Sequence, residues 1–192
     1  MRLAVFCSGE GSNFENIVRS CPECEVVLMV HDSPSPEQMC GAVERAERLS
    51  IPHWRWENPR DPESHERVIH LMKSYEVDLI VLAGWMRIIK PPFLDFGLKR
   101  MINIHPSLLP KYKGKDAIKQ ALESEDTMTG CTVHYVTAEL DGGPILGQVK
   151  VPICLGDDIE SLRERVQRGE HHLYPLVINS ILTSGKHAGE PV

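Results

Sequence analysis

The chain alternates short apolar runs with longer stretches in which apolar residues recur every three or four positions. Leu3–Cys7, Val26–Val30 and Leu79–Ala83 are continuous apolar runs bounded by turn residues, the pattern of strands covered on both faces. Helical spacing runs through Asn13–Ser20, Pro36–Leu49 and Glu63–Tyr75. In the second of these Met39, Ala42, Val43, Ala46 and Leu49 share a face, and in the third Val68, Leu71 and Met72 do. Ile51–Trp56 reads as another strand, Pro91 opens a helical turn, Met101–Ile104 reads as a strand and Asp116–Ser124 as a helix. Two strand-like runs, Cys131–Thr137 and Ile145–Ile153, flank the turn Leu140-Asp-Gly-Gly-Pro144, and a helix is expected from Asp158 to Leu182.

Repeated strand–helix units predict a Rossmann-like α/β fold: a mostly parallel twisted sheet with helices on both faces. The late strand pair predicts an antiparallel extension near the C-terminal third. There is no internal repeat and no linker, so the expectation is one domain over residues 1–183, with 184–192 a frayed C-terminal tail.

Composition narrows the function classes. The chain has 192 residues, 42% of them hydrophobic, and a formal net charge of −6. That balance, with no basic stripe, argues against nucleic acid and anionic membrane surfaces as partners. The opening apolar run is too short for a signal-peptide core and no later run approaches a membrane span, so a cytoplasmic protein is expected, its six cysteines reduced. Cys21-Pro-Glu-Cys24 follows a helix and precedes a strand, the wrong polarity for a redox pair, and no second pair completes a zinc set. It reads as a connecting turn, and no metal is expected.

Two segments carry chemistry. Gly9-Glu-Gly-Ser-Asn13 lies between a strand and a helix, where glycines let main-chain N–H groups approach an anion and the helix start adds its dipole. It is half of a dinucleotide fingerprint, with Asp32 about where a ribose-binding carboxylate would stand. The third glycine is replaced by Phe14, which favours a phosphate site over a dinucleotide site. Asn103 and His105 are two apart, so on a strand they share a face, and Asp141 sits in the Gly-Gly-Pro turn downstream. A carboxylate beside an imidazole favours the imidazolium, and imidazolium with carboxamide N–H can stabilise a developing oxyanion.

The segments Ser8-Gly-Glu-Gly-Ser-Asn13, Leu82-Ala-Gly-Trp-Met-Arg-Ile88, Asn103-Ile-His-Pro-Ser-Leu-Leu-Pro-Lys-Tyr112, Gln120-Ala-Leu122, Gly130-Cys-Thr-Val-His134, Leu140-Asp-Gly-Gly-Pro144 and Glu170-His-His-Leu-Tyr-Pro175 are collinear and span most of the chain. In them the sequence resembles the phosphoribosylglycinamide formyltransferases, folate-dependent enzymes of purine synthesis. The resemblance implies transfer of a formyl group from 10-formyltetrahydrofolate to the amine of glycinamide ribonucleotide. It implies that Asn103, His105 and Asp141 are the catalytic group and that Gly11, Ser12, Asn13 and Glu170 hold the ribonucleotide. It further implies that Met86, Arg87, Ile88, Ile89, Leu140 and Asp141 line the folate slot, with His134 and Thr132 buried near the site. Lys113, Lys115 and Asp116, and His31-Asp32, depart from the family pattern and bear on loop conformation and folate-tail contacts.

The same resemblance leaves alternatives. Methionyl-tRNA formyltransferases are longer and carry a basic C-terminal domain, and formyltetrahydrofolate deformylases carry an extra N-terminal one; the length and acidity of this chain are expected to separate it from both. A formyltransferase acting on another amine, a catalytically idle nucleotide-binding module and a dinucleotide-dependent oxidoreductase are the remaining readings. Small-molecule substrates and a monomer or homodimer are expected, and Leu109–Pro110 is expected to be cis.

Overall fold

Seven strands form a single mixed sheet in the computed structural model, which describes residues 1–184. The strands are β1 (Arg2–Cys7), β2 (Glu25–His31), β3 (His53–Arg55), β4 (Leu79–Leu82), β5 (Met101–His105), β6 (Met128–Tyr135) and β7 (Ile145–Pro152), ordered β3-β2-β1-β4-β5-β6-β7. The first five pair in parallel; β6 runs antiparallel to β5, and β7 to β6. The helices are α1 (Ser12–Ser20), α2 (Gly41–Arg48), α3 (Pro62–Ser74), α4 (Phe93–Gly97), α5 (Ala117–Leu122) and α6 (Ile159–Thr183). The α/β class and the antiparallel extension are as expected from the pattern. The expected tail over 184–192 lies outside the described residues except for Ser184, which caps α6.

Strand alternation sorts the core into two layers. Leu3, Val5 and Cys7 of β1 join Phe14 and Ile17 of α1, Ala42, Val43 and Ala46 of α2, and Leu162, Val166 and Tyr174 of α6. Ala4 and Phe6 face the other way, onto Val68 and Met72 of α3, Phe93 of α4 and the rings of Trp56 and Trp85. Both faces of β1 are therefore dry, which is why its sequence reads as an unbroken apolar run.

Most elements shift by a residue from their expected bounds, and four of the differences have a backbone cause. The helix expected from Pro36 starts only at Gly41: Cys40 is extended, and its N–H is taken by the Ser33 hydroxyl at 2.9 Å. Strand β3 keeps three residues of the expected Ile51–Trp56, because it is an edge strand with one partner. Strand β6 begins at Met128 rather than Cys131, where Gly130 lets the β7 backbone close in; a Cβ there would stand 1.9 Å from the Val149 oxygen. Asp116 has left-handed backbone, φ 58°, so α5 starts one residue later than expected.

Pro175 lies inside α6 and brings no N–H, so the carbonyl four residues before it loses its helical partner. That carbonyl belongs to His171, and the Asn16 side-chain amide of α1 donates to it at 2.6 Å. The proline thus docks the middle of α1 against the middle of α6.

All six cysteines are free, and Cys24 N–H bonds back to the Cys21 carbonyl in a turn. Burial, with Cys24 nearby, pushes the Cys21 thiol up to about 11, which leaves it unreactive. Among the described residues no helix is long and apolar enough to cross a membrane.

His31, 1% exposed, has Nδ1 2.8 Å from the Ser33 hydroxyl. Burial, helped by His53 and Arg55 against the pull of Asp32, drives it from 6.5 down to about 4. The native state therefore keeps His31 neutral while the unfolded chain takes up a proton near pH 6.5. Stability should fall as pH drops from 6.5 through about 4, by up to about 3 kcal/mol at about 1.4 kcal/mol per pH unit. Urea unfolding at pH 7 and pH 5 should show a flatter acid slope in His31→Asn; equal slopes would place the acid sensitivity in another group.

Candidate active site

The chain runs β1, β2, β3 in one direction along the sheet and then returns to lay β4 and β5 on the other side of β1. The loops after β1 and β4 therefore diverge, and the crevice at such a switch point is where open α/β sheets bind ligands. Two bonds tie the loops at their base: Ser8 N–H donates to the Gly84 carbonyl at 3.1 Å, and Met86 N–H to the Ser8 hydroxyl at 2.9 Å.

After β1, Gly11 takes φ 73° as the residue before α1, and a Cβ on it would lie 2.7 Å from that of Ala42. Only glycine fits there. The first helical bond runs from Glu15 N–H to the Gly11 carbonyl, so the N–H groups of Ser12, Asn13 and Phe14 precede the ladder and carry the positive end of the helix dipole. Glu10 turns aside, its carboxylate packing at Gly41. Asn13 donates to Glu170 at 2.7 Å, and its own amide oxygen is buried without a partner among the described residues. Burial pushes the Glu170 carboxyl up, against the Asn13 bond. Gln167 donates to the Ser12 hydroxyl at 2.9 Å, and His171 Nε2 lies 3.2 Å from the same oxygen. Residues 167, 170 and 171 fall on one face of α6, so three polar side chains meet the start of α1.

At the end of β5, Asn103 stands opposite His134 of β6, and His105 opposite Thr132. The His134 Nδ1 faces the Tyr135 carbonyl at 2.9 Å and so carries the proton, which leaves Nε2 to accept from the Asn103 amide at 3.2 Å. Asp141, at φ 48°, turns its carboxylate between the two imidazoles: Oδ2 is 3.4 Å from His105 Nδ1 and Oδ1 is 3.6 Å from His134 Nε2. The Gly114 N–H donates to Oδ2 at 2.8 Å. Burial alone would raise the Asp141 carboxyl, but the Gly114 N–H bond and the charge of His105 hold it below the usual carboxylate range. The other ring nitrogen of His105 donates to the Tyr112 carbonyl at 2.8 Å. Thus His105 and Asp141 meet directly, and Asn103 joins them through His134. Thr132 braces the turn before the site, donating to the Ser107 carbonyl at 2.6 Å and accepting from Leu109 N–H at 3.1 Å. Leu109–Pro110 is cis as expected, and so is Pro91–Pro92.

A family model described as formyl transferase matches residues 1–178. The phosphoribosylglycinamide formyltransferase of Escherichia coli is 42% identical over 182 residues, 93% of this chain and 86% of that protein. The enzyme of the same name from Bacillus subtilis is 39% identical over 94% of each chain. The crystal structure of phosphoribosylglycinamide formyltransferase from Bacillus halodurans superposes with a TM-score of 0.89 at 36% identity, covering 97% of both chains. The chain belongs to the phosphoribosylglycinamide formyltransferase family.

Of the positions the family pattern assigns to a folate slot, Met86, Ile88 and Leu140 present apolar side chains that are 77%, 65% and 55% exposed. Exposed apolar side chains on the loops that follow β4 and β6 are candidates for contact with a ligand. Ile89 is turned the other way, into the aromatic core layer, so it can face the slot only through its main chain. Arg87 reaches across to the buried Asp32 at 2.5 Å. The carboxylate at the ribose-like position is therefore occupied by an ion pair. Lys113 pairs with Glu139 at 2.7 Å and ties its loop to the turn that carries Asp141. Lys115 and Asp116 are exposed, in the same loop as the Gly114 N–H that bonds Asp141. Sequence reasoning missed Gln167, His171 and the Arg87–Asp32 pair. The spacing of 167, 170 and 171 on a helix is the signal that could have found the first two.

Proposed function

We propose that this chain transfers the formyl group of 10-formyltetrahydrofolate to the primary amine of glycinamide ribonucleotide, a step of purine synthesis, with Asn103, His105 and Asp141 as the catalytic group. The observation that carries the reading is the buried His105–Asp141 pair at 3.4 Å, with Asn103 two residues along the same strand. The ribonucleotide phosphate lies on the N–H groups of Gly11, Ser12 and Asn13, and Glu170 takes the sugar hydroxyls. The pterin lies against Met86, Ile88 and Leu140, with the main chain of Arg87 and Ile89 at its edge.

The amine lone pair attacks the formyl carbon and the carbonyl electrons move onto oxygen. One Asn103 N–H is held by His134, so the second is free for the oxyanion, and the Nδ1–H of protonated His105, whose Nε2–H stays on the Tyr112 carbonyl, is the other donor. Asp141, kept ionised, orients His105 and accepts the proton of the attacking amine through water. Collapse of the tetrahedral adduct releases tetrahydrofolate nitrogen, which takes that proton. No step calls on a metal. The partners are small molecules, and the protein works in the cytoplasm as a monomer or homodimer.

A formyl-transfer assay with 10-formyltetrahydrofolate and a panel of amines tests this. Turnover should depend on glycinamide ribonucleotide and vanish with its dephosphorylated form at equal concentration. Donor hydrolysis independent of any amine would instead support a deformylase, and turnover with unphosphorylated amines would support another acceptor.

A further inference from the structure

The loop that follows the catalytic strand contributes a main-chain atom whose position is set with unusual care. His105 is 5% exposed, and its Nε2 is 2.8 Å from the Tyr112 carbonyl. A carbonyl only accepts, so Nε2 must carry the proton. That fixes Nδ1 as the atom turned towards Asp141 and the reacting groups.

The carbonyl is held from several sides. Tyr112 has left-handed backbone, φ 56°, a conformation uncommon for a non-glycine residue. The Ser107 hydroxyl donates to the preceding carbonyl, that of Lys111, at 2.5 Å. The Tyr112 hydroxyl donates to Asp126 at 2.7 Å and lies 2.8 Å from the Ser124 hydroxyl. Lys111 bonds the same Asp126 oxygen at 2.6 Å. Bonds from Lys111 and then Tyr112 hold the Asp126 carboxyl below the usual range, so this post stays charged through the neutral region.

We propose that Tyr112 is a positioning residue for His105: its carbonyl holds the Nε2 proton and so aims Nδ1 at the reaction, and its phenol, docked on Asp126 and Ser124, fixes where that carbonyl stands. The inference rests on the catalytic reading of His105. It explains why the loop spends a tyrosine, a lysine and an aspartate outside the substrate crevice. It also gives the imidazole a second fixed contact besides Asp141, as oriented histidines elsewhere require.

The test is Tyr112→Phe, which keeps the ring and removes the docking hydroxyl, with Asp126→Asn as the variant that leaves Tyr112 in place. Both should lower kcat by about tenfold, the scale for losing an orienting partner, while each KM stays within about twofold. The kcat–pH profile should shift, and nitrogen-15 spectra of the His105 ring should change from one hydrogen-bonded Nε2–H environment to several. The double variant should be no worse than the single ones. A lowered melting temperature with unchanged kcat, pH profile and ring spectrum in both variants would overturn the proposal and leave Tyr112 structural. If His105→Ala kept wild-type turnover, the catalytic reading itself would fall, and this inference with it.

Discussion

His105→Ala is expected to lower kcat by roughly 10²-fold or more, the scale for removing one oxyanion donor from a preorganised site. The KM for each substrate should move little, because His105 lies at the end of β5 while the anion loop follows β1 and the apolar slot follows β4. Some loss of stability is also expected, since the Tyr112 carbonyl loses its only described side-chain donor, an effect of about 1 kcal/mol. That cost is small against a loss of 10²-fold in rate, which corresponds to about 2.7 kcal/mol. Steady-state kinetics alongside a melting curve separates the two. Turnover within a few-fold of wild type, with the fold intact, would remove His105 from the chemistry.

Ser12→Asp should raise the KM for the ribonucleotide by about 10²-fold, as like charges brought together in a binding site cost several kcal/mol. The new carboxylate would stand where the phosphate is expected, among the free N–H groups at the start of α1. It would also lose the bonds that Gln167 and His171 direct at the Ser12 hydroxyl. The fold should tolerate the change, because a negative side chain in the first turn is favoured by the helix dipole by about 0.3–1 kcal/mol. The KM for the folate donor should stay within about twofold. An equal loss for both substrates would make the loop a structural turn.

The fold was legible wherever burial wrote itself into the residue pattern. Strands β1, β2 and β4 are apolar on both faces, so they stand out as unbroken runs, and the long amphipathic α6 shows despite Pro175. Where backbone bonding decides the outcome, the pattern misled. Apolar spacing from Met39 onward suggested a helix from Pro36, yet Ser33 captures the Cys40 N–H and delays it to Gly41. The convergence of Asn103, His105 and Asp141 followed from a period of two and a glycine-rich turn. The Tyr112 carbonyl and the Gly114 N–H did not, because main-chain atoms leave no trace in side-chain identity. Gln167 and His171 were open to detection from their spacing with Glu170.

The reversal of strand order at β1, with β2 and β3 on one side and β4 and β5 on the other, has a consequence for how such a molecule can change over time. The groups assigned to the acceptor sit on the β1–α1 turn and on α6, while those assigned to the donor sit on the β4 loop and the β6–β7 turn. The two sets are joined at the crevice floor by the Ser8 bonds to Gly84 and Met86. Insertions or substitutions in one set can therefore accumulate with little disturbance of the other. A lineage could retune which amine it accepts while inheriting its one-carbon donor unaltered, and a laboratory library for new acceptors would be best confined to residues 10–13 and the 167–171 face of α6.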